Sequence, residues 1–421
     1  MIKYIISFLL LAPVAVWAQY KPGLLVLTNA TIIDAEHRVP LPRQTVFICD
    51  GKISLTFTAG EHTIPDSAIV INLEGKSLLP GLVDSHVHMA TDPSGVDNRA
   101  HTLDVLKRML CSGVTCVRDM AGDGRVLAGL ARDARLGEIT SPEICYSALM
   151  AGTVFFSDPR TATSTRGGIN GKMPYMQAIS DSTNLTLAIA EAKGSGASGI
   201  KLYANLTTGQ VNRIMTEAQK QQMPVWGHAW LQGAGPSDLV RAGLISISHV
   251  PLLVREKAQI PEAWKKAGHS AAYWDRVTPD LHGLFDLMRA HHTILDATLL
   301  TYKVWASQDS AAIWDYEIGK RIVARAYRAG VAICAGTDDD QEKFVPEEMR
   351  LFVTDAGFSP IDAIIAATQN SAAAIGLQGR KGLVKAGMDA DLIVLDADPL
   401  ASIDNITKVK LVIKGGRIYN R

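Results

Sequence analysis

Between residues 24 and 75, apolar and polar side chains alternate in short runs, LLVLTNATIID, TVFICDGKISLTF and AIVINLEG, separated by turn-forming Gly, Asn and Asp. A period of two marks strands with one face buried. The same texture returns in DADLIVLDADP and VKLVIKGGRIYN near the end of the chain. Two β-rich ends bracketing a long middle predict one small β-sandwich domain built from both termini, residues 19–79 and 380–421.

The middle, residues 80–379, follows another rhythm. Eight short runs rich in apolar residues recur: LLPGLVDSHVH, GVTCVRD, EICYSAL, SGIKLYA, MPVWGHA, LISISHV, TILDATL and VAICAGTD. Amphipathic stretches such as AHTLDVLKRMLCS and TGQVNRIMTEAQKQQ lie between them. Repeated strand–helix alternation predicts an α/β fold, a parallel (β/α)8 TIM barrel. Two connections, Ala151 to Asp181 and Pro251 to Pro279, are long, as lids and binding walls are.

Composition narrows the partners. Lys+Arg and Asp+Glu both total 42 in 421 residues, so no basic stripe for nucleic acid is indicated and a small-molecule substrate is expected. The first eighteen residues, MIKYIISFLLLAPVAVWA, join Lys3 to an apolar run and end in Val16 and Ala18 at the minus-three and minus-one places of a cleavage site. This reads as a signal peptide cut after Ala18, directing the chain to the periplasm or the medium with no membrane attachment afterwards. The run is shorter than the roughly 20 apolar residues that span a bilayer. Five cysteines, odd in number and set in apolar surroundings, read as small buried hydrophobes. Homo-oligomerisation is left open.

Candidate chemistry gathers at strand ends. His86 and His88 lie two apart and so share one face, the interior of a barrel strand. His228 ends the fifth run, His249 the sixth and Asp338 the eighth, where barrel enzymes place their active sites. Four imidazoles and a carboxylate are costly to bury together without a cation, and they suit a divalent metal such as zinc. Lys201, in the fourth run, is either a salt-bridge partner at the barrel mouth or a lysine whose charge carboxylation has removed. Tyr203 shares its strand face and either donates to a developing oxyanion or packs at the rim. Asp119 and Thr337 read as supporting residues, and Asp339 and Asp340 as an acidic turn that is solvated or selects cationic substrates.

The ordered set His86-x-His88, Lys201, His228, His249 and Asp338 resembles the binuclear-metal branch of the amidohydrolase superfamily. LPGLVDSHVHM, GVTCVRDMAGDG, AGVAICAGTD, AATQNSAAAIGL and KGLVKAGMDADLIVLDADPL extend the likeness over nearly the whole mature chain, toward imidazolonepropionase-like and prolidase-like members. The resemblance implies two divalent ions, zinc by expectation. One is held by His86, His88 and Asp338 and the other by His228 and His249, with an N6-carboxylated Lys201 between them. It implies that a metal-bridging hydroxide attacks an amide and that Asp338 carries the proton.

The chain departs from the prolidase-like pattern where SALMAGTVFF holds no histidine after the third strand and where DDQEKFVPEEM lacks one before its glutamate pair. FFSDPRTATSTRGGINGK offers Arg160, Arg166 and Lys172 instead, as solvated charges or as a clamp for a substrate carboxylate. The expected function is an exported hydrolase of amide-type carbon–nitrogen bonds in dipeptides or N-acyl amino acids. Ring opening of a cyclic amide or lactone is the alternative, and a non-catalytic binding protein on the same barrel the third reading.

Overall fold

A computed structural model describes residues 23–90, 98–257, 270–338 and 344–419. The expected signal peptide, Asp339, Asp340 and part of the Pro251–Pro279 connection lie outside the described residues.

The two ends of the chain meet in one sheet. Its strand order is Arg417–Tyr419, Val409–Lys414, Leu392–Leu395, Ser77–Pro80, Leu25–Ile32, Leu41–Cys49 and Lys52–Thr58, with Ile69–Asn72 also paired to Leu25–Ile32. The seam is the antiparallel pairing of Ser77–Pro80 with Leu392–Leu395. Leu27, Val46, Ile53, Leu78, Leu392 and Ile413 close the core of this sheet.

The barrel strands are Leu82–Val87, Val114–Asp119, Glu143–Gly152, Gly199–Leu202, Val225–His228, Ser246–Ser248, Ile294–Asp296 and Ile333–Cys334. Each pairs in parallel with the next. The circle closes through Ser85 N–H on the Ala335 carbonyl at 2.9 Å and Asp338 N–H on the His86 carbonyl at 2.8 Å. All eight runs read from the sequence therefore supply barrel strands.

One run is shared between the two bodies. LLPGLVDSHVH breaks at Gly81, before which the chain belongs to the terminal sheet and after which it enters the barrel. A Cβ at Gly81 would lie 2.2 Å from Thr115 Oγ1, so the crossing needs glycine. The long connection after the third strand carries the short helix Pro159–Ser164 and the strand Met176–Ile179, which pairs parallel to Glu143–Gly152. The five cysteines are free. Among the described residues, no helix is long and apolar enough to cross a membrane.

Candidate metal centre

Strand ends deliver the chemistry. His86 lies inside the first barrel strand and His88 just beyond it, Lys201 lies in the fourth, and His228 closes the fifth. His249 directly follows the sixth strand at φ 75°, and Asp338 follows the eighth at φ 48°. Such backbone is unfavourable for residues with a Cβ and persists only where neighbours enforce it. His249 N–H is held by the Asp296 carbonyl at 3.0 Å, and Asp338 N–H by that of His86.

The ligating atoms of His86, His88 and Asp338 all lie within 4.8 Å of one another. Asp338 Oδ1 is 3.5 Å from His86 Nε2 and 3.3 Å from His88 Nε2. The other ring nitrogens face acceptors: His86 Nδ1 is 2.8 Å from Asp296 Oδ2, and His88 Nδ1 is 3.0 Å from the Ala121 carbonyl. In a neutral imidazole the proton then sits on Nδ1, which turns the Nε2 lone pairs toward a carboxylate. In that tautomer the Nε2 lone pairs and the carboxylate oxygen converge on one point. His86 Nε2 is buried without a hydrogen-bond partner. A divalent cation would satisfy all three groups at once, so the donor set fits one.

Two further imidazoles stand beside this group. The His249 ring centroid is 5.0 Å from that of His86 and 4.2 Å from that of His228. His249 Nδ1 is 3.1 Å from Thr298 Oγ1 and 3.8 Å from Asp338 Oδ2. Burial pushes the pKa of His86 and His228 down and that of His249 to about 3. Burial acts the other way on Asp338, but His86, His88 and His249 outweigh it and hold its carboxyl well below the usual range. Neutral imidazoles around an ionised carboxylate are the protonation states that metal binding requires.

Lys201 is buried, and desolvation lowers its ammonium to about 8 although Asp338 and Asp119 pull it back. Its Nζ lies 5.3 Å from the centre of the Tyr203 ring. That ring sits 4.2 Å from His228 and 4.8 Å from Phe155. Asp119 Oδ2 accepts from Met89 N–H at 2.5 Å, while its buried Oδ1 has no partner. Thr337 donates from N–H and Oγ1 to Asp84 at 3.0 and 2.7 Å.

Of the three loop cations, Arg160 is the one whose charge acts on Tyr203. It forks onto Asp158 at 3.1 and 2.7 Å. Burial raises the Tyr203 phenol, and the charge and hydrogen bond of Arg160 draw it back down. Lys172 lies exposed in the strand Lys172–Met173, and for Arg166 the contact is its carbonyl, on Arg125.

Sequence reasoning passed over three buried residues. Asp296, within TILDATL and at the end of the strand Ile294–Asp296, holds His86, and Arg118 in the second strand holds Asp296 at 3.3 Å. Glu348 accepts the N–H groups of Leu299 and Leu300 at 2.9 and 2.6 Å, seating the helix that follows Thr298. A carboxylate at a strand end was a visible signal for Asp296. Glu348 belongs to the glutamate pair of DDQEKFVPEEM, and nothing local marked Arg118.

A model described as the amidohydrolase family matches residues 77–419. Ochratoxinase of Aspergillus niger is 25% identical over 465 residues, covering 97% of this chain and 91% of that protein. The crystal structure of that species' ochratoxinase superposes with TM-score 0.75 at 21% identity, covering 94% of this chain and 96% of that one. A Xaa-Pro dipeptidase with methionine bound in its active site superposes with TM-score 0.75 at 21% identity, covering 95% of this chain and all of that one. At these identities, the structural likenesses speak to the fold.

Proposed function

Because this chain belongs to the amidohydrolase family, we propose that it hydrolyses amide bonds of dipeptides or N-acyl amino acids at a two-metal site in the barrel mouth. Hydrolysis of carbon–nitrogen bonds is the activity its family and the ochratoxinase likeness support. The observation that carries the site is the convergence of His86, His88 and Asp338 on one point, with His86 Nε2 buried and unpartnered.

His86, His88 and Asp338 would hold one ion, His228 and His249 the second, and Lys201, as its carbamate, would lie between them. Divalent ions at such a site, zinc by expectation, supply an acidified water and a polarised carbonyl. Asp338, ionised and beside three imidazoles, takes the proton of the attacking water at a carboxylate oxygen and delivers it to the leaving nitrogen. Tyr203, two residues beyond Lys201, directs its phenol at the oxyanion, and Arg160 orients that phenol from the rim. Arg160, exposed at the rim and paired with Asp158, is also the cation that a substrate carboxylate would engage, which favours amides of amino acids. Export by the leader ending at Ala18 belongs to the same proposal.

The test is turnover by zinc-reconstituted protein on dipeptides, N-acyl amino acids, cyclic amides and lactones, recording new amine and new acid. Amine release from linear amides is expected. Acid without amine, confined to rings, would replace this reading with ring opening.

A further inference from the structure

Asp296 is fully buried, and its two oxygens accept from four side chains. Oδ2 meets His86 Nδ1 at 2.8 Å, Ser248 Oγ at 2.7 Å and Arg118 Nη2 at 3.3 Å, and Oδ1 meets Ser85 Oγ at 3.3 Å. Arg118 is itself pinned. Its Nε donates to the Ser85 carbonyl at 2.6 Å, and its Nη1 donates to Ser246 Oγ at 3.1 Å and to the Ala374 carbonyl at 3.0 Å. Its guanidinium lies 4.7 Å from the centre of the Trp226 ring.

The contacts tie the first, second, sixth and seventh barrel strands to one carboxylate. Gly336 leaves room for it, since a Cβ there would stand 2.2 Å from Asp296 Oδ1. Four donors and the close approach of Gly336 restrict Asp296, and its contact with Nδ1 orients the His86 ring. An anionic acceptor on Nδ1–H also makes Nε2 a stronger donor, as carboxylates behind metal-binding imidazoles do.

We propose that Asp296, locked by Arg118 and Ser248, is the positioning residue that sets how tightly the His86–His88–Asp338 group holds a divalent cation. The inference rests on the metal reading of that group. A purely structural Arg118–Asp296 pair would make a different prediction, because its loss would lower stability and leave cation affinity untouched.

The experiment uses the full-length protein stripped of metal, titrated with zinc against a competing chelator, with urea unfolding of the metal-free form alongside. Asp296→Asn is expected to weaken zinc binding by about 10–100-fold. The zinc concentration that half-restores activity should rise by the same factor. Ser248→Ala, which removes one donor and keeps the carboxylate, should shift affinity in the same direction by less, and it decides the matter if Asp296→Asn does not fold. Unchanged zinc affinity in a folded variant, with only the urea midpoint lowered, overturns the proposal. Wild-type protein that binds no zinc would instead overturn the metal reading beneath it.

Discussion

The two ends of the barrel each carry a cluster of charged and titratable groups, and the clusters are built on opposite plans. At the N-terminal end, Lys381 Nζ is 2.8 Å from Glu143 and 3.4 Å from Asp389 and also contacts Asp391. Arg380 meets Asp389 and Glu143 at 2.7 and 3.3 Å, and Lys52 meets Asp389 at 2.7 Å. Three carboxylates face three cations there. At the C-terminal end, Asp338 and Asp119 lie with His86, His88, His228, His249 and Lys201, and buried His86 Nε2 and Asp119 Oδ1 lack partners. A cluster whose members satisfy one another has nothing left to offer a ligand. The cluster left open at its centre is the one equipped for chemistry.

The sharpest way to break the comparison is to substitute one member of each cluster. Asp338→Asn should lower amide turnover by about 10²–10⁴-fold, the range of a lost general base, with secondary structure retained by circular dichroism. Turnover unchanged in that variant would remove Asp338 from the mechanism. Lys381→Met should do the reverse, costing about 3–5 kcal/mol in urea unfolding because it strands the buried Asp391 carboxylate, while activity per folded molecule holds. Tyr203→Phe should reduce kcat by about 10²-fold with little change in KM if the phenol serves the oxyanion. An effect on KM alone would make it a packing residue.

Acid should separate the two clusters further. Burial pushes the Glu143 carboxyl up, but Lys381 and Arg380 outweigh it and hold its pKa below the ordinary value, and Asp389 is likewise held down by Lys52, Lys381 and Arg380. Carboxylates depressed on folding stabilise above their unfolded pKa, and that contribution is lost as pH falls through the folded values. The urea-midpoint gap between wild type and Lys381→Met should therefore be full at neutral pH and shrink below about pH 4. The smallest effect is expected at the rim. Arg160→Gln should raise KM for substrates bearing a carboxylate by about tenfold, near 1.4 kcal/mol, and spare analogues without one. An equal rise for both would leave Arg160 without a role in recognition.

Most of the architecture was legible because its signals are local. Each barrel strand is an apolar run between turn residues, and each residue of the expected set, from His86 to Asp338, stands in or just beyond such a run, where a barrel gathers its strand ends. The division of LLPGLVDSHVH at Gly81 was not legible, because it depends on Thr115 lying against that glycine. The N-terminal ion cluster was hidden for the same reason. Glu143 and Lys381 are charges in unremarkable stretches until folding brings them to 2.8 Å.

By itself, the sequence determined the alternation of strands and helices, the sheet built from both ends, and the order in which imidazoles, lysine and aspartate reach the barrel mouth. These follow from side-chain periodicity, which neighbouring residues carry. Only the tertiary structure decided that His86 is held by Asp296, 210 residues away, and that Arg118, 178 residues before Asp296, locks it in turn. Hydrogen-bond partners so far apart leave no periodic trace, since a buried carboxylate is chosen by the donors that surround it and not by its neighbours in the chain.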